Sequence, residues 1–230
     1  MIAANAIVSA LIHQEKTGEG QDIHVDLRKA YVNQSKWQDV LADCVTVNDL
    51  AKRSTDPYWP GARWKIALGL DPSQRQENYD ELDERAEWMY EAVSTSAGMV
   101  TTTPGLGSIY QAAYADKDGD WLEGGESYTL HVPANPPAEQ FWSVAVYSWD
   151  TRTLIDNEQK RAAQSSRQDL IKNKDGSIDL YYGPTAPKGK EKNWVQTIPG
   201  QGWWVYLRFY APTKAYFDKS WSIGDFEKAK

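Results

Sequence analysis

The chain is poor in the residues that most often carry chemistry. Its 230 residues include one cysteine and three histidines. One cysteine makes no intrachain disulfide and cannot furnish a Cys-rich zinc site. Three histidines argue against a three-His metal centre. Lys/Arg runs are missing and the formal net charge is −7, which argues against a nucleic-acid partner. No segment approaches the roughly 18 consecutive apolar residues of a membrane-spanning helix. There is no Gly-rich phosphate loop, no nucleophile elbow and no HExxH, so no cofactor and no metal are implied. The apolar start, 1–18, lacks a basic n-region and a small-residue cleavage site, so it reads as a soluble helix rather than a signal peptide, and no compartment follows from it.

What is present is aromatic. Eleven Trp and 13 Tyr stand beside only four Phe, in a chain that is 41% hydrophobic. Such a composition does not stay disordered. The length allows one or two domains and a core that needs no covalent staple.

Three segments differ in pattern. Residues 1–50 read helix, strand, helix: Ile2, Ala6, Ala10 and Ile7, Leu11 recur at helical spacing, and Ile23, Val25 and Leu27 alternate with polar residues. Residues 51–104 read as a helical module. Asp71–Pro72 is a good helix start, and Tyr79, Leu82, Ala86, Met89, Tyr90 and Val93 fall on one face. Residues 105–230 shift to a period of two. Tyr128, Leu130 and Val132 alternate with polar residues, as do Ile178, Leu180 and Tyr182. Phe141–Trp149 is a continuous run, and Trp203, Val205, Leu207 and Phe209 alternate with Trp204, Tyr206, Arg208 and Tyr210. Asp118–Gly119, Gly124–Gly125, Asn135–Pro136–Pro137, Asp175–Gly176 and Pro199–Gly200 mark turns. The fold class expected is mainly β: a C-terminal jelly-roll-like sandwich, preceded by the helical module and an N-terminal α/β fragment.

Several phrases carry a family resemblance. In order they are Phe141-Trp142-Ser143-Val144, Tyr147-Ser148-Trp149-Asp150-Thr151-Arg152, Asp156-Asn157 and Asn173-Lys174-Asp175-Gly176-Ser177-Ile178-Asp179-Leu180-Tyr181. Gly183-Pro184, Glu191-Lys192-Asn193-Trp194, Gly200-Gln201-Gly202-Trp203, Leu207-Arg208-Phe209-Tyr210 and Phe217-Asp218-Lys219-Ser220-Trp221 follow. Together with Tyr58-Trp59-Pro60 and Thr95-Ser96, this sequence, about 51–226, resembles an uncharacterised bacterial family, the domain of unknown function 1214. In that family the domain usually follows another, the domain of unknown function 1254. The resemblance implies a jelly-roll-like sandwich and no established activity. Residues about 3–45, with Thr17-Gly18-Glu19-Gly20-Gln21 and Ile23-His24-Val25-Asp26-Leu27, resemble a fragment of family III CoA-transferases. The nucleophilic Asp of that family would precede this segment, so the resemblance implies a chimeric chain, with CoA-transferase activity the least favoured of the functions considered.

Site candidates follow from residue chemistry. Asp150, Arg152, His131 and Tyr181 are the catalytic candidates for a hydrolase or lyase, provided they converge in one cleft. Trp149, Asp156, Asn157, Tyr182, Asn193, Trp194, Trp204 and Arg208 are the ligand-binding candidates, since flat rings beside Asn, Asp and Arg suit a carbohydrate-like or small apolar ligand. Adjacent Trp203 and Trp204 must point to opposite faces of a strand, which places one of them outside the domain core. Asp116–Asp120 reads as a hairpin turn, because a calcium loop would need Glu where Ser127 stands. The uncovered apolar faces of residues 1–45 must pack on the β-unit, stay mobile or drive self-association.

Overall fold

The computed structural model describes residues 57–67, 75, 77–80 and 97–229. The readings made for residues 1–50, including the CoA-transferase-like fragment and its self-association, lie outside the described residues. So does most of the helix expected within 51–104.

Residues 57–68 and 97–230 form one compact unit. It is a sandwich of two sheets. Its strands are β1 (Lys65–Ile66), β2 (Ser108–Ala113), β3 (Tyr128–Val132), β4 (Ala138–Ser148), β5 (Ala163–Ser165), β6 (Ile178–Gly183), β7 (Trp194–Gln196), β8 (Trp203–Pro212) and β9 (Glu227–Lys228). The first sheet has the order β1-β2-β8-β4-β5 and the second β7-β6-β3-β9. Every pairing is antiparallel except β6 with β7. The other compact unit, 1–56 with 69–96, contributes few described residues; among them Arg75 Nε lies 2.7 Å from Asp80 Oδ1.

Alternation explains which side chains meet. Trp203, Val205, Leu207 and Phe209 of β8 face inward, as do Trp142, Val144 and Val146 of β4. From the second sheet Tyr128, Leu130 and Val132 meet them, with Ile178, Leu180 and Tyr182. These positions form one dry core between the sheets, the chief stabilising term of the fold. The turns fall where Gly and Asx residues were expected, with φ of +92° at Gly119, +87° at Gly176 and +78° at Gly200.

The stretch 57–67 is sewn to the far end of the chain. Trp59 Nε1 donates to Trp221 O at 2.9 Å, Trp64 Nε1 to Gly224 O at 2.9 Å, and Tyr58 Oη to Tyr216 O at 2.8 Å. Tyr58 stacks on Tyr216 with centroids 4.7 Å apart. Both tryptophans are buried, each with its one polar atom satisfied.

Candidate functional site

The site grows from the residues of β8 that face away from the core. Trp204 and Tyr206 point to the outer face of the first sheet and form a second buried cluster with Ala112 and Tyr114. Trp203 and Trp204 do point to opposite sides, and both are buried; the second lies in a layer of its own. Tyr147 stacks on Trp204 at 4.6 Å, Tyr206 meets Trp204 edge-on at 4.4 Å, and Tyr110 meets Tyr206 edge-on at 5.9 Å.

Two arginines lie on these rings. The Arg152 guanidinium is 4.6 Å from the Trp149 ring and 5.5 Å from that of Trp204. Arg208 lies 5.3 Å from the Tyr110 ring and 5.8 Å from the Tyr147 ring. Its Nη2 donates to the Tyr147 hydroxyl. The register explains that meeting. Arg208 is opposite Ser143 and Tyr206 opposite Ala145, while Tyr147 is opposite Trp204. The small Ala145 between Ser143 and Tyr147 lets two long side chains lean over it and touch.

At the end of this face a large aromatic reaches water. Trp121 is 46% exposed and sits 5.1 Å from Trp149. The backbone holds both in place: Trp121 is bridged to Ala115, and Trp149 N donates to Gly202 O at 3.0 Å. The exposed turn that follows Trp149 carries Asp150 and Thr151. Thr151 Oγ1 lies 2.9 Å from Thr153 Oγ1.

The strands that build this face run from β2 through β8, within one continuous stretch of the chain. Residues 107–214 match the family model described as Protein of unknown function (DUF1214). The match supports the resemblance found in the sequence for this stretch. No comparison supports the CoA-transferase resemblance or the companion domain 1254, and no curated protein matches the chain. Among solved structures, the VPA0106 protein of Vibrio parahaemolyticus is 22% identical, with a TM-score of 0.50. The match covers 65% of this chain and 35% of that one. An uncharacterized protein from Burkholderia cenocepacia is 14% identical, with a TM-score of 0.43 over 64% of this chain and 33% of that one. The chain thus spans about a third of the length of these structures. The first likeness bears on the fold alone.

Elsewhere in residues 107–214 the other candidates are spread apart. His131 and Asp179 are register partners on the outer face of the second sheet, with His131 Nδ1 2.7 Å from Asp179 Oδ1. Asn173 Nδ2 donates to the other carboxylate oxygen at 3.1 Å. Tyr181 shares that face, opposite Thr129 and Trp194, and the Lys190 ammonium is 5.8 Å from its ring. Arg152 lies on the first sheet's outer face, across the sandwich, and Asp150 is in an exposed turn. The four catalytic candidates therefore do not share a cleft, and the enzymatic reading that required one is not carried forward.

Four ligand-binding candidates are buried: Trp204, as described above, and Tyr182, Asn157 and Asn193. Tyr182 is enclosed in the core, stacked on Trp203 at 5.2 Å, because its strand alternation turns it inward. Burial pushes its hydroxyl well above the usual tyrosine range. Asn157 is buried, and its amide donates to Arg161 O and Gln196 O, each at 2.8 Å, while its oxygen accepts from Arg161 N at 3.1 Å. Asn193 is buried too. It bonds Ile171 N and O at 2.7 and 2.8 Å and Asp179 O at 2.9 Å. Both asparagines hold loops to strands and present no group to a ligand. Asp156 is exposed and pairs with Lys160 at 2.8 Å; Trp194 donates its indole N–H to Gly183 O at 2.9 Å.

Asp116–Asp120 forms the expected turn. Asp116 Oδ1 accepts from Asp118 N and Asp120 N, each at 3.0 Å, and Lys228 Nζ lies 3.8 Å from Asp116 Oδ2. Among the described residues no group of three or more His, Cys, Asp or Glu side chains is placed to hold a metal ion, and no helix is long and apolar enough to cross a membrane. Trp121, Tyr147, Tyr110, Tyr114 and Tyr206 are aromatic members of the face that sequence reasoning did not single out. Tyr206 was legible as a neighbour of Trp204 two residues along the same side of a strand. Trp121 follows a turn and has no periodicity to mark it.

Proposed function

We propose that this chain binds a small ligand with a flat apolar or sugar-like surface against the exposed Trp121 at the edge of this aromatic layer. The observation that carries the reading is the exposed Trp121 indole set against Trp149. Single exposed apolar residues are ordinary on a protein surface. Here the exposed ring is one of a pair, and the pair continues into a layer of stacked and edge-on rings. Thr151, Thr153 and Asp150 lie in the adjoining turn and supply the hydroxyl and carboxylate groups that orient a polar ligand over a ring.

The test is a titration with neutral mono- and disaccharides and small planar compounds, read by tryptophan fluorescence and by melting temperature. At least one ligand class raises the melting temperature and changes the fluorescence. Trp121→Ala weakens that binding about tenfold or more without unfolding the protein. The reading is abandoned if no compound acts, or if the variant binds as well as the parent.

A further inference from the structure

Several cations of the sandwich rest on rings. The Arg152 guanidinium lies 4.6 Å from Trp149, Arg208 5.3 Å from Tyr110, Arg167 3.8 Å from Phe141, and the Lys219 ammonium 4.7 Å from Tyr58. The negative face of an aromatic ring draws them, and an indole draws most strongly. Trp121 is an indole at the surface, 46% exposed, and among the described residues no arginine or lysine lies over it. The charge beside it is acidic. Residues 121–123 run extended between two bridges, Trp121 to Ala115 and Glu123 to Gly202. Leu122 is buried in the core, so Trp121 and Glu123 project together to the other side. Gly202 O also accepts from Trp149 N at 3.0 Å, which sets Glu123 beside the residue whose ring meets Trp121. Asp150 follows Trp149 in the exposed turn. Two nearby acids are balanced: Asp118 pairs with Lys117 at 2.9 Å and Asp120 with Lys228 at 3.5 Å. Glu123 and Asp150 meet no cation among the described residues. The Arg152 guanidinium, over the neighbouring Trp149, opposes a further cation, and the two carboxylates outnumber it.

We infer that Trp121 stacks a small planar organic cation of the amidinium or guanidinium type, whose N–H groups reach the carboxylates of Glu123 and Asp150. This inference rests on the ligand-binding reading above and narrows it to a charge class. An exposed ring and an exposed carboxylate each contribute little alone. A planar cation engages the ring with its face and the acids with its edge, so one ligand gains from both. The carboxylate share of that gain is screened by salt.

The experiment compares benzamidinium with benzamide, which share size and planarity and differ in charge. Binding is followed by ligand-observed NMR at low ionic strength and again at about 0.5 M salt. Benzamidinium is expected to bind about fivefold to tenfold more tightly than benzamide at low salt, with the preference shrinking at high salt. Glu123→Gln and Asp150→Asn alter exposed side chains, and melting curves check that the double variant is folded. That variant is expected to bind the two probes equally, and Trp121→Ala to lose both. Equal binding of the probes by the parent protein overturns this inference, as does a preference that survives in the double variant. If the probes bind equally and Trp121→Ala abolishes both, the inference fails while the broader reading stands. The same holds if neither probe binds but a neutral compound of the wider panel does. If nothing binds, both fail.

Discussion

At the scale of single residues, close approach decides what can be exchanged. Gly124 shows this most directly. A methyl group on its Cα would lie 2.1 Å from Ile198 O and 2.7 Å from Gln201 O, both backbone atoms. The glycine is also bonded on both sides, N to Gln201 O at 2.9 Å and O from Thr197 Oγ1 at 2.7 Å. Gly124→Ala must therefore shift the 197–201 turn and is expected to cost more than about 2 kcal/mol. At Gly224 a methyl group would meet nothing within 4 Å, and φ does not require glycine. Gly224→Ala is expected to stay within about 0.5 kcal/mol of the parent. Thermal denaturation of the two variants checks the contrast, and equal melting temperatures would count against it.

At the scale of elements, the sandwich has to protect its edges. Strand β7 ends the four-stranded sheet, and its outer backbone groups would otherwise invite another strand. Residues 157–161 cover them with side chains. Gln159 Nε2 donates to Trp194 O at 3.1 Å, Gln159 Oε1 accepts from Gln196 N at 3.0 Å, and Asn157 Nδ2 donates to Gln196 O. Arg161 adds a bond to Trp194 O. Asn157→Ala strands two carbonyls and one N–H, and should lower stability by about 2–4 kcal/mol. Chemical denaturation measures the loss, and light scattering should show more self-association of the variant. A variant as stable and monodisperse as the parent would contradict this account.

Edges also mark where sequence reasoning ended. The long strands β3, β6 and β8 repeat with a period of two for five or more residues, so their inward faces were legible, while β4 was legible only as a continuous run. Strands β1, β5, β7 and β9 have two or three residues each, and nothing in so short a run distinguishes strand from loop. Strand β2 was missed because Ser108–Ala113 is buried on both faces and so lacks alternation. For the site, the adjacency of Trp203 and Trp204 revealed a second aromatic layer. The roles of Asn157 and Asn193 were hidden, because an asparagine serving a carbonyl 39 residues away reads the same in sequence as one facing a ligand.

For the whole molecule, acidity enters through a half-buried carboxyl. Burial pushes the Asp225 carboxyl above the usual carboxylate range, and the nearby Asp116 charge adds to it. The backbone N–H of Arg63, 2.7 Å away, and the Arg63 charge oppose the shift without cancelling it. A raised carboxyl favours the fold while protonated. That contribution is complete below its unfolded value of about 3.9 and is lost as pH rises through the folded value. Asp225→Asn keeps the acceptor for Arg63 N–H and removes the charge. It is expected to melt higher than the parent at pH 7, with the difference closing as pH is lowered to 4. Melting curves across that range test it, and a variant that melts lower at pH 7 would refute the assignment.

The tryptophans of 57–67 reach carbonyls at 221 and 224, so the foldable body is discontinuous along the gene. A recombination crossover between codons 67 and 107 would part each indole from its acceptor and open the core at Trp221 and Phe226. A crossover upstream of codon 57 would leave every one of these bonds intact.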